Sequence, residues 1–144
     1  MPSSLLIATD FSPSSAAAFE EARWLGERLG VTPEILHVAE DNTGDEWRHH
    51  PSARLWLATT SLEESAVITR SGIPWVEIVR RAQETGAALL VIGSHGQSGF
   101  HPLRLGSTAE RLGSSAPCPV VLVSSRTGSP LTREPRGALS PQRL

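Results

Sequence analysis

The segment that most constrains this chain is Ala87 to Thr108. An apolar run, Ala87-Ala88-Leu89-Leu90-Val91-Ile92, ends at Gly93, and Gly96 and Gly99 follow. A run this short, β-branched at its end and closed by glycine, reads as a buried strand. Nothing periodic follows until Gly106-Ser107-Thr108, where a helix start is expected. The pattern is G-x2-G-x9-G-[ST], on Gly93, Gly96, Gly106 and Ser107. A strand, a glycine-rich turn and a helix start in that order form an anion site. Glycine lets backbone N–H groups come close to an anion, and the helix end adds unpaired N–H groups and its dipole. A plain connector is the alternative. The glycine–hydroxyl pair at the far end of the loop, and the alternating pattern of the whole chain, favour the anion site.

The pattern before and after this segment has the same rhythm. Ser4 to Thr9 is a short apolar run, hence a first strand. Ser12 suits an N-cap and Pro13 a first helical position, so the first helix runs from Pro13 to Leu29 and stops at Gly30. Val31 to Ala39 reads as the second strand. Glu40 to Pro51 is polar and broken and is expected to be a loop. His49-His50 lies in it without the further ligands a metal site needs. Ser52 to Leu62 is a short second helix, with Leu55 and Leu62 as buried candidates, weakened by Thr59-Thr60-Ser61. Ser65 to Arg70 is the third strand. Pro74 to Thr85 carries an apolar stripe of Val76, Val79 and Ala82, with Ile78 less securely placed, and Gly86 ends it. After the fourth strand and the glycine loop, Ser107 to Leu112 is a helix expected to stop near Gly113. Pro119 to Val123 is the fifth strand.

Strands alternating with helices imply a parallel sheet covered on both faces, with right-handed crossovers. The 144 residues suit one domain. The expected domain is 1–124. The remainder, 125–144, is rich in Ser, Pro, Gly and Arg without periodicity and is expected to be a disordered tail. A net charge of −2 gives no general attraction to nucleic acid or anionic membrane. No apolar run reaches the roughly 20 residues of a membrane helix, and MPSSLLIATDF at the start lacks the basic flank and apolar length expected of a signal peptide. A cytoplasmic protein is the expectation. The single cysteine, Cys118, forms no internal disulfide and reads as a small buried residue.

The motifs ATDFS (8–12), ILHVAE (35–40), SGIPWVEIV (71–79), VIGSHG (91–96), LGST (105–108) and APCPVVLV (116–123) resemble the universal stress protein family. The resemblance covers residues 3–124. With the glycine pattern intact, it points to the branch that binds ATP. It implies a Rossmann-like sheet of five parallel strands in the order 3-2-1-4-5. By position it implies that Ala8, Thr9 and Asp10 lie beside the adenosine. Asp10 would be near the ribose and would help order Mg2+ or Mn2+. It places Val38 at the adenine through its backbone, and Ile92 and Gly93 on the ribose side. His95, Gly96, Gly106, Ser107 and Thr108 would approach the phosphates.

Three departures from the family pattern stand out. Gln97 occupies a position where members often have a basic residue, and Arg104 can supply that charge. Ala88 stands where many have aspartate. The segment between the second and third strands is short. Homodimerisation through Pro119–Val123 is implied by the resemblance and by the apolar character of an edge strand. The residues show no catalytic constellation and no P-loop lysine, so an ATP-binding stress-response or regulatory module is the expected function. The alternatives are a slow metal-dependent ATPase and a dimeric assembly protein with structural nucleotide. ADP release, ATP recovered unchanged, and assembly that survives loss of nucleotide separate the three.

Overall fold

The computed structural model describes residues 4–40, 44–94 and 107–124. The expected tail, 125–144, lies outside them. Five strands and four α-helices alternate: β1 (Leu5–Ala8), α1 (Pro13–Leu29), β2 (Glu34–Ala39), α2 (Pro51–Thr60), β3 (Val67–Ser71), α3 (Pro74–Thr85), β4 (Leu89–Gly93), α4 (Ser107–Ser115) and β5 (Val120–Val123). The strands form one parallel sheet in the order β3-β2-β1-β4-β5, as the resemblance implied.

Alternation along each strand divides the core. Leu5 and Ile7 of β1 join Phe19 and Ala22 of α1 and Trp56 of α2 on one face. Leu6, with Leu36 and Val38 of β2, joins Ile78 and Ala82 of α3 and Leu112 of α4 on the other. Central strands that are apolar on both sides belong between two helical layers, and right-handed crossovers deliver the helices there in pairs.

Local signals set the ends of α1. Ser12 Oγ accepts from the Ser15 N–H at 3.2 Å, Pro13 opens the helix, and Gly30 closes it at φ 76°. Gly26, inside α1, has the Val31 carbonyl oxygen 2.5 Å from where a Cβ would stand, so the turn from α1 into β2 folds back through a gap only glycine leaves. On the opposite layer, Glu34 holds Arg81 through two hydrogen bonds of 2.7 and 2.6 Å, tying β2 to α3.

Several sequence expectations are corrected. Residues 44–49 are not loop but a 3-10 helix, Gly44–His49, that buries Trp47. His50 caps α2, its Nδ1 accepting from the Ser52 N–H at 3.1 Å. Leu55 points outward and is 69% exposed, while Trp56 and Leu57 supply the buried side of α2. Leu62 is half-buried just beyond the helix. In α3, Ile78 is buried, whereas Val76 and Val79 are half-buried. The helix after the glycine loop runs through Gly113 to Ser115, because Gly113 sits on its open side. No helix among the described residues is long and apolar enough to cross a membrane.

Candidate functional site

The strand order reverses between β1 and β4, because the chain leaves β1 toward β2 and reaches β4 only after β3. Crevices form at the carboxyl ends of strands at such a point. Ile7 pairs with Val91 and Ala8 with Leu36. The same register carried forward sets Ala8 level with Ile92, and Asp10 level with Val38. The structure therefore brings Ala8, Thr9, Asp10, Val38, Ile92 and Gly93 to one edge of the sheet. Ser107 and Thr108 form the first turn of α4, Ser107 exposed and Thr108 half-buried. His95, Gly96 and Gly106 lie outside the described residues.

The turn from β1 into α1 is built from its own side chains. Thr9 is 5% exposed, and its hydroxyl is used internally. It accepts from the Phe11 N–H at 2.9 Å and lies 2.9 Å from Ser15 Oγ. Its N–H donates to the Leu36 carbonyl at 2.8 Å. Asp10 is exposed, and its Oδ1 accepts from the Ser12 N–H at 3.0 Å, closing an Asx turn. Phe11 adopts φ 64°, a left-handed conformation costly for a bulky residue.

Packing holds that conformation in place. The Phe11 ring lies 4.6 Å from His37 and is stacked 4.9 Å from Trp47, with Trp56 edge-on at 5.6 Å. Trp47 is anchored in turn by its Nε1, which donates to Thr69 Oγ1 at 2.9 Å. The Thr9 carbonyl lies 2.9 Å from His37 Nδ1. Sequence reasoning missed this aromatic cluster. The signal available was Trp47 itself, a tryptophan in an otherwise polar stretch.

Burial pushes the His37 imidazole below its usual value of 6.5, and the Thr9 carbonyl, Asp10 and Glu40 only partly oppose it. A histidine kept neutral in the folded state stabilises the protein above pH 6.5. That contribution is lost as pH falls through the lowered value. His37→Gln keeps a donor for the Thr9 carbonyl. Its Tm should fall less than the parent's when pH drops from about 7 to about 5. Equal falls would show that burial does not lower the His37 pKa in the folded state.

Gly93 serves packing as well as the turn. A Cβ there would stand 2.6 Å from Ser14 Oγ and 2.8 Å from the Ser14 carbonyl carbon. The first turn of α1 therefore rests directly on the end of β4. Ser14 Oγ donates to the Val123 carbonyl at 3.0 Å, and the Ser94 N–H donates to the same oxygen at 2.9 Å, which draws β5 into the junction. Val38 and Ile92 turn their side chains into the core cluster on the α3 and α4 side of the sheet. Among the described residues no three His, Cys, Asp or Glu side chains gather as a metal site. The exposed Asp10 carboxylate is the kind of oxygen ligand that a hard cation would take.

Comparison with known proteins gives a consistent result. Residues 1–124 match the model of the universal stress protein family. The universal stress protein YxiE of Bacillus subtilis (strain 168) is 30% identical, with 83% of this chain and 97% of that protein covered. A universal stress protein of Mycolicibacterium smegmatis is also 30% identical, over 85% of this chain and 46% of its own length. Among solved structures, the protein MJ0577 superposes with a TM-score of 0.67 at 21% identity, over 86% of this chain and 97% of its own. A universal stress protein solved in complex with cAMP superposes at 0.62 and 21% identity, over 87% and 99%. At those identities the two structures establish the fold. The family match and the relative similar along nearly its whole length establish the rest: this chain belongs to the universal stress protein family.

Proposed function

We propose that the chain is an adenine-nucleotide-binding regulatory module of the ATP-binding branch, acting in the cytoplasm. The observation that supports this is the sheet register at the switch point, which sets Asp10, Val38 and Gly93 at one edge of the sheet. Asp10 follows β1, Val38 lies near the end of β2, Gly93 ends β4 and Ser107 opens α4. Gly93 and Ser107, with Gly96 and Gly106, make up the G-x2-G-x9-G-[ST] pattern, whose backbone donors suit phosphate. The fold's presence in a family member solved with cAMP supports an adenine nucleotide as the ligand class. Asp10 would hold the ribose and, with Mg2+ or Mn2+ bound, one face of the cation. A bound divalent ion would neutralise phosphate charge beside that carboxylate.

Calorimetric titration with ATP, with and without Mg2+, tests this. The parent should bind, and Asp10→Ala should bind more weakly, by about tenfold, with less dependence on the metal. Tighter binding by Asp10→Ala would show that the carboxylate only repels phosphate. ATP recovered unchanged after prolonged incubation is the expected result for a binding module, and accumulating ADP would assign hydrolysis instead.

The same proposal includes a homodimer through β5. This strand ends the sheet, and its Leu122 is 42% exposed. An apolar edge strand invites pairing with a second copy about a two-fold axis. Val121 packs against the α1-side core, so a charge there would also disturb folding. Leu122→Lys is the cleaner probe. It should shift the protein from dimer to monomer in sedimentation while leaving ATP binding in place. A parent already monomeric at micromolar concentration would refute the dimer.

A further inference from the structure

The first turn of α3 stands at the same edge of the sheet. Ala39 of β2 is level with Ser71 of β3, and Trp75 follows four residues later. Trp75 is half-buried. It packs against the cluster containing Val38 and Ile92, and Ala8 packs against that cluster too. Its neighbour Ile73 is 60% exposed, so an apolar lip continues from the cluster into solvent.

The Arg111 guanidinium lies 5.4 Å from the centre of the Trp75 ring. Arg111 is four residues beyond Ser107, on the same side of α4. The other arginines near α3 are committed to carboxylates: Arg70 and Arg80 to Glu77, and Arg81 to Glu34. Among the described residues Arg111 makes no ion pair, and its planar group lies on an aromatic ring instead.

We propose that Trp75 is the residue that reads the base of the bound nucleotide, its indole providing the stacking surface for a purine on the side where Arg111 now lies. The inference rests on the nucleotide-binding function proposed above and adds its base specificity. A guanidinium and a nucleobase are both flat and both stack on indole, so the ring face that accepts one accepts the other. A purine offers more overlap than a pyrimidine. When the base takes that face, Arg111 is released one turn from the start of α4, where phosphate is expected.

The test is calorimetric titration of the parent, Trp75→Phe and Trp75→Ala with ATP and with CTP, with melting curves to confirm folding. Tryptophan emission is followed during each ATP titration. The parent should prefer ATP over CTP. Trp75→Ala should lose about tenfold or more in ATP affinity and lose that preference, and Trp75→Phe should keep most of both. ATP should change the parent's emission, and most of this change should be lost in Trp75→Phe, since Trp47 and Trp56 are buried and Trp24 lies on α1 with the Arg28 guanidinium over its ring. A Trp75→Ala variant that binds ATP as the parent does, with the same preference over CTP, would overturn this inference and leave nucleotide binding standing. A parent that binds neither nucleotide would overturn the proposed function and the base specificity with it.

Discussion

Gly93→Val should be among the most destabilising single substitutions in the chain, costing roughly 3 kcal/mol and lowering Tm by on the order of 10 °C. The added Cβ would fall within 2.6 to 2.9 Å of three Ser14 atoms, one of them backbone. A flexible side chain can step aside from such a contact, but the first turn of α1 cannot. Moving it would pull Ser14 Oγ from the Val123 carbonyl and loosen the Thr9–Ser15 contact in the same turn. Gly113 is the control, because a Cβ there meets nothing within 4 Å. Gly113→Ala should raise stability by about 0.5–1 kcal/mol, as expected for alanine in place of glycine inside a helix. Thermal melts of the two variants would settle the contrast. A Gly93→Val protein that melts with the parent would mean that α1 does not rest on β4 as described.

The second large effect is functional. Gly106→Val should reduce ATP binding on the order of 100-fold or more, with melting close to the parent's. The residue precedes Ser107, the first residue of α4, and closes the G-x2-G-x9-G-[ST] pattern. A branched side chain there would remove the backbone freedom and close approach that glycine allows a phosphate. The two glycines thus separate by readout: Gly93→Val acts on the fold, and Gly106→Val on the ligand. Unaltered ATP affinity in Gly106→Val would show that the glycine pattern is not the phosphate site.

Where chain ends are marked chemically, the fold was legible in the sequence. Ser12-Pro13 and Gly30 bound α1, and Pro74 and Gly86 bound α3, at the residues expected from them. Parallel strands followed from the alternation, but their order did not. Apolar runs of similar composition carry no information about which neighbours which, and the order came from family resemblance. Gly113 misled because a glycine on the open side of a helix looks the same in sequence as one that ends it. Leu55 misled because α2 is only ten residues long, too short for periodicity to choose between Leu55 and Trp56.

The candidate site divides in the same way. Asp10 and the glycine pattern announce themselves by residue type. The support beneath Asp10 does not, because Phe11, His37 and Trp47 come from three separate segments and meet only when β1 and β2 pair. Gly93 was legible as a glycine of the loop, while its contact with Ser14 was not. That contact depends on how closely α1 crosses β4.

The most direct test of an adenine-nucleotide site at this sheet edge is to identify what the purified protein carries. The full chain, expressed and purified without added nucleotide, would be denatured and its released small molecules identified by mass spectrometry. Protein stripped of them would then be titrated with MgATP. Recovery of an adenine nucleotide in stoichiometric amount, with saturable rebinding by the stripped protein, is the predicted result. No released nucleotide, together with no binding of MgATP at millimolar concentration by a folded protein, would contradict it.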